Sequence, residues 1–276
     1  MSSDEAPTPP SPSSSSPASP APPAGAALLW RDLRLGAAFL TRLPVHLSEE
    51  ESARPLAEAV WTFPVIGAGV GLISGAALWL GLWLGLDPLA AALFGITAAV
   101  LLTGGLHEDG LADVADGFGA GADKTAKLRI MRDSRIGAYG VLALFLGLGL
   151  RVTIVAGMIG PGTALLALVS AGIASRTVLP VMMHLMTPAR RNGLGHGAGR
   201  PHRTDVTIAC LIGGGAVLGC LGLIAGLIAF IATAIAYIIV SELARRQIGG
   251  FTGDVLGALQ QGAEVLVLAA VASATL

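Results

Sequence analysis

Seven stretches of this chain approach the length of a lipid bilayer, and they limit its fold more than any other feature. They cover about residues 60–86, 88–105, 137–159, 162–186, 206–224, 226–243 and 254–275. Crossing a hydrocarbon layer of about 30 Å takes roughly 20 apolar residues in an α-helix. Charged residues make up 13% of the chain and hydrophobic ones 53%, whereas an ordinary soluble domain is about 25% charged. One globular core cannot hide that much apolar surface. The expected fold is therefore all-α, a polytopic membrane helix bundle of about seven transmembrane helices.

Two segments lie outside this pattern. Residues 26–45 mix apolar residues with Arg31, Asp32, Arg34 and Arg42, which predicts an N-terminal helix lying at the membrane interface. Residues 1–25 hold eight of the sixteen prolines and a serine run from Ser13 to Ser16. They predict a disordered tail ahead of a single transmembrane catalytic domain over 26–276. Asp4 and Glu5 stand where a secretory signal carries basic residues, and no apolar segment follows them.

The basic residues orient the bundle. Of the seventeen Lys and Arg residues, only Arg151 and Arg176 fall inside apolar runs. All the others sit before the first run or in the connections 2–3, 4–5 and 6–7, while the alternate connections near Asp87-Pro88, Gly160-Pro161 and Ile224-Ala225 carry none. Positive charge stays on the cytoplasmic side, so this chain is expected in a bacterial cytoplasmic (inner) membrane with its polar clusters facing the cytoplasm. Polar groups gathered at one face favour an enzyme over a transporter. A net charge of -1 gives no reason to expect nucleic acid as a partner. Cys210 and Cys220 match no metal spacing and read as packing residues.

The chemistry begins directly after the second run, at His107-Glu108-Asp109-Gly110-Leu111-Ala112-Asp113-Val114-Ala115-Asp116-Gly117. Asp109, Asp113 and Asp116 are spaced i, i+4, i+7, which on a helix falls within about 60°. Their repulsion is relieved if a cation sits among them, and oxygen-only ligation suits Mg²⁺ or Mn²⁺. The plainer alternative is a solvated loop whose acids neutralise nearby arginines, although loop acids seldom keep helical register. His107 is either a base or a structural hydrogen-bonding group.

Further along, Arg129-Ile130-Met131-Arg132-Asp133-Ser134-Arg135-Ile136-Gly137 places Arg132 and Arg135 as i, i+3 neighbours able to clamp phosphate. Asp133 is a further metal ligand or holds an arginine in place. Thr252 and Asp254, in Gly249-Gly250-Phe251-Thr252-Gly253-Asp254, either cap the last helix or meet a ligand. Arg151 and Arg176, inside apolar runs, are expected to face the bundle and pair with an acid or a ligand. Gln260, Gln261 and Glu264 break the last run and are expected to face inward. Acidic stripe, arginines and glycine loops at one membrane face point to phosphoryl or phosphoalcohol transfer.

These blocks together resemble the cobalamin synthase (adenosylcobinamide-GDP ribazoletransferase) family. The resemblance runs in order through Thr41-Arg42-Leu43-Pro44, Phe63-Pro64-Val65-Ile66-Gly67, Gly104 to Gly117, Met131 to Gly137, Ser175-Arg176, Arg191-Asn192-Gly193-Leu194-Gly195 and Gly249 to Asp254. It implies an Mg²⁺-dependent, multi-pass membrane enzyme joining adenosylcobinamide-GDP to α-ribazole, or its 5′-phosphate, with release of GMP. It also implies catalytic roles for His107, Asp109, Asp113, Asp116, Arg132, Asp133 and Arg135, with Asp109, Asp113 and Asp116 holding the metal. Substrate contact is expected at Arg42, Arg176, Arg191, Thr252 and Asp254. An oligomer is compatible with all of this.

Two other readings compete. Asp113-x-x-Asp116-Gly117 is similar to the opening of a CDP-alcohol phosphotransferase motif, but the rest of that motif does not follow. A corrinoid transporter or scaffold is the third reading, resting on glycine-rich helices that pack closely in membranes.

Overall fold

A computed structural model describes residues 25–158, 160–190, 193 and 197–275. The tail lies almost wholly outside the described residues, as do Arg191, Asn192 and 194–196. Ten α-helices run through the described residues: α1 (Gly25–Leu40), α2 (Glu49–Ser52), α3 (Phe63–Trp83), α4 (Pro88–Thr103), α5 (Leu106–Ala120), α6 (Lys124–Ile130), α7 (Ala138–Ala156), α8 (Pro161–Leu185), α9 (Arg203–Ile248) and α10 (Gly253–Thr275). Two short 3₁₀ turns, Leu56–Glu58 and Val60–Thr62, lead into α3.

The breaks between helices follow from local chemistry. Asp87 caps α4 by accepting the Leu89 and Ala90 N–H groups at 2.9 and 3.1 Å, with Pro88 opening the helix. Gly104 and Gly105 both adopt left-handed backbone, at φ +67° and +69°. Two such residues in succession suit glycine alone, and they turn α5 by 89° from α4.

The expected all-helical membrane bundle is present, with fewer separate long apolar helices than the seven apolar runs. Among the described residues five helices are long and apolar enough to cross a bilayer, or six if the bent pair α4–α5 forms one broken span. Two features explain the difference. α4 has only 16 residues before its corner. The runs 206–224 and 226–243 form the two arms of α9, 46 residues in all, which part at Gly222 (φ +74°, ψ 179°). Its arms fold back on each other: a Cβ on Gly226 would lie 2.7 Å from Leu218 Cδ2, and one on Gly214 would meet Phe230.

The arms of α9, with α8, α10 and α3, build the centre of the bundle. The core has two clusters. One, including Phe63, Val114, Met182, Phe251 and Leu259, lies toward the arginine-bearing connections. The other, including Leu78, Ile96, Val155, Leu168 and Leu268, lies toward the short ones. Connections gather accordingly: the Ala57 N–H donates to Ala198 O at 2.8 Å and the Arg42 N–H to Leu102 O at 2.7 Å. At the other end Leu82, Pro88, Met158 and Pro161 line a common hollow.

α1 keeps Leu28, Leu29 and Trp30 exposed while Leu35 and Leu40 are buried, as suits a helix lying along an apolar surface. Its polar side is tied down. Asp32 accepts from Arg54 Nη1 at 2.8 Å and Trp61 Nε1 at 2.9 Å, and Arg34 donates to Glu51 at 3.0 Å. Ser48 and Glu51 form a reciprocal capping box on α2. This strap, 25–58, forms one wall of the cleft described next.

Candidate active site

A cleft opens at the arginine-bearing end between α5 and the start of α10. His107, Asp109, Gly110, Gly253, Asp254 and Gly257 line its polar side. Phe39, Leu40, Leu56, Phe63, Leu179 and Met183 line the other, where Phe39 and Phe63 stack with ring centroids 6.4 Å apart. Close helix contact makes the polar side possible. A Cβ on Gly110 would stand 2.8 Å from Asp254 O and 3.2 Å from Gly257 Cα. α5 therefore lies directly against the first turn of α10, and Asp109 and Asp254 come to line the same cleft.

Asp113, one turn along α5, is half-buried. Asp109, Asp254 and Asp116 all lie within electrostatic reach of it, and Arg190 opposes them. Asp254 in turn accepts hydrogen bonds from Thr252 Oγ1 at 3.0 Å and from Arg190 Nη2 at 3.4 Å, and Arg132 also acts on it. The Val255 N–H donates to Thr252 Oγ1 at 3.3 Å, so Thr252 caps α10 as well as orienting Asp254. Arg190 reaches this point because the loop after α8 pairs with the loop before α10. Ala189 N–H donates to Phe251 O at 2.8 Å and Phe251 N–H to Thr187 O at 3.0 Å, a parallel bridge.

Four placements depart from the picture that spacing alone suggests. The first concerns Asp116, which turns away from the other stripe residues. Its Oδ2 accepts the Gly137 N–H at 2.7 Å and its Oδ1 the Gly140 N–H at 2.9 Å. It is a long-range N-cap for α7, because the first N–H groups of a helix have no partner inside it.

The second concerns the stripe as a ready cage. Among the described residues no group of three or more His, Cys, Asp or Glu side chains is arranged to hold a metal. The third concerns Arg132 and Arg135, which are not helical neighbours since α6 stops at Ile130. Arg135 instead grips Asp133 in the exposed loop at 2.7 Å, and its hydrogen bonds hold the Asp133 carboxyl down to about 2. The fourth concerns Arg176, which is 2% exposed and points into the protein rather than the cleft.

Arg176 belongs to a buried network beneath the cleft. Arg151 Nη2 donates to Glu108 at 2.9 Å and its Nη1 to Glu264 at 3.2 Å, and Arg176 reaches Glu264 at 3.5 Å. Gln261 donates to Glu108 at 3.1 Å, and Gln260 donates to Ser175 at 3.1 Å and to Glu264. The inward orientation expected for Arg151, Gln260, Gln261 and Glu264 holds, with acids as partners. His107 is buried above the network and faces the cleft. Arg42 does not line the cleft. It lies over the α4–α5 corner, its Nε 2.2 Å from where a Cβ on Gly104 would be. Arg191 falls outside the described residues.

The family model described as cobalamin-5-phosphate synthase matches residues 32–272. The chain belongs to the cobalamin-5-phosphate synthase family. Curated relatives cover nearly the same span. An adenosylcobinamide-GDP ribazoletransferase of Bradyrhizobium diazoefficiens is 45% identical over 86% of this chain and 91% of its own. That of Mesorhizobium japonicum is also 45% identical, with the same coverage. The protein of that name from Azorhizobium caulinodans is 42% identical over 85% of this chain and 93% of its own. No solved structure matches.

The cobalamin-5-phosphate synthase match takes in every described element of the cleft. Sequence reasoning missed Arg190 as the cation on Asp254, having favoured its neighbour Arg191. It also missed Glu108 as the partner of Arg151. For Glu108 a signal existed: an unpaired arginine inside an apolar run requires an acid at matching depth.

Proposed function

We propose that this chain transfers the phosphocobinamide group of adenosylcobinamide-GDP to α-ribazole or its 5′-phosphate, releasing GMP, at the cytoplasmic face of a bacterial inner membrane. The carrying observation is that Asp109 and Asp254, from two helices, line one cleft with Asp113 within electrostatic reach of both, cations at its edge and an aromatic wall opposite. In this reaction a ribose hydroxyl of the nucleoside attacks the phosphorus attached to the cobinamide arm. The bond from that phosphorus to the bridging oxygen breaks, and GMP carries that oxygen away.

The oxygen-only donor set fits Mg²⁺, which takes one or two protein carboxylates and completes its shell with water and substrate phosphate. Two of the carboxylates Asp109, Asp113 and Asp254 would hold it at a time, and when bound it neutralises diphosphate charge. Arg190 and Arg132, both acting on Asp254, would offset charge on the departing phosphate. The Phe39–Phe63 wall offers a stacking surface for the planar base of α-ribazole. Positive charge at the arginine-bearing end supports its cytoplasmic placement.

The test is GMP release by the purified full chain given adenosylcobinamide-GDP and α-ribazole with Mg²⁺. Wild type should form GMP and a cobalamin product one to one. Asp113→Asn should lose GMP release at least about 100-fold while keeping its unfolding temperature. Full turnover in Asp113→Asn would refute the site.

A further inference from the structure

Glu108 and Asp109 are adjacent on α5 but meet different surroundings. Side chains one residue apart point about 100° apart on a helix. Glu108 is 8% exposed and reaches into the bundle, while Asp109 is exposed and lines the cleft. Any rotation of α5 that moved Asp109 or Asp113 away from Asp254 would also pull Glu108 from Arg151 and Gln261.

Three other helices meet α5 at this lock. Arg151 comes from α7, Glu264 and Gln261 from α10, and Arg176 joins from α8. As a source of stability the network is a poor choice. Glu108 Oε2, Arg151 Nε and Arg176 Nε are buried without a protein partner, and partly satisfied buried charges gain little over apolar packing. What an ion network does well is select one arrangement, because each charge accepts few alternative partners.

We infer that the Glu108–Arg151–Glu264–Arg176 network is a positioning device that sets the rotation of α5 and so keeps Asp109 and Asp113 on the side facing Asp254, where the cation would bind. Glu108 is a positioning residue: it touches Arg151 and Gln261, and the cation meets its neighbour. This rests on the proposed reading of the cleft as an Mg²⁺ site.

Direct Mn²⁺ binding to the detergent-purified full chain without substrate, followed by electron paramagnetic resonance, tests it. Glu108→Gln keeps the shape of the side chain and removes its charge. It should weaken Mn²⁺ binding about tenfold or more, the range seen when outer partners of metal ligands are altered, while thermal unfolding stays near that of wild type. Should Glu108→Gln fail to fold, Gln261→Met removes one hydrogen bond to Glu108 and should weaken binding in the same direction. Wild-type Mn²⁺ affinity in a folded Glu108→Gln or Gln261→Met, with affinity lost in Asp113→Asn, overturns the positioning role and leaves the metal reading standing. Wild-type affinity in Asp113→Asn as well overturns the metal reading itself, and the inference with it.

Discussion

Asp113 and Asp116 differ by three positions and do different work. Asp113 faces other carboxylates, so removing its charge relieves repulsion and removes a cation ligand. Asp116 binds two N–H groups of α7, so removing it leaves those groups unpaired. Asp116→Ala is expected to cost about 1–2 kcal/mol and to lower the unfolding midpoint by about 2–4 °C per kcal/mol. Paired melting curves and GMP assays separate the cases: a drop in stability for Asp116→Ala, a drop in turnover alone for Asp113→Asn. An inverted pattern would return Asp116 to the metal.

Spacing puts Asp109 and Asp113 on one face because a helix converts i, i+4 into one face without help from the rest of the chain. It misplaced Asp116, since its partners lie 21 and 24 positions away in a loop whose path no local pattern encodes. Arg190 was hidden for the same reason. Its contact with Asp254 spans 64 positions and depends on the bridge between Thr187–Ala189 and Phe251. Arg190→Ala should therefore reduce turnover in the GMP assay without changing insertion into the membrane. Unchanged kcat/KM in that variant would remove Arg190 from the site.

Among the elements, α5 decides the cleft. It leaves α4 at a corner made by two left-handed glycines and runs along α7 and α10 so closely that Gly110 and Gly257 touch. Gly110→Val should push α5 off the first turn of α10, because even a Cβ there would stand 2.8 Å from Asp254 O. The expected result is loss of most GMP release, with helical circular dichroism retained. A fully active Gly110→Val would show that the α5–α10 distance is not set at that contact.

The helices themselves were legible, since long apolar runs and their caps are local signals. The break in α9 was legible as well, since the runs 206–224 and 226–243 part at Ile224-Ala225, beside Gly222 with its φ of +74°. Pairing within the Arg151 network was legible only in part. An arginine in an apolar run demands an acid, yet Glu108 and Glu264 were equally eligible and the structure uses both.

Across the whole molecule, the arginine-bearing connections and the cleft share one end, and the connections at Asp87-Pro88 and Gly160-Pro161 share the other. Single cysteines at Asp87 and Ser134, in a chain whose Cys210 and Cys220 are replaced by Ala, should label from opposite sides of intact cells. Labelling of both from the same side would contradict the orientation. Run length and the spread of charge were enough to call for a helical membrane bundle with its charge at one face, because a polar backbone in lipid must satisfy its hydrogen bonds within its own helix. Which carboxylates share the cleft, which one caps a helix and which arginine answers them came only with the tertiary structure. Those relations join residues distant in the chain, and they depend on how closely α5, α7 and α10 pack.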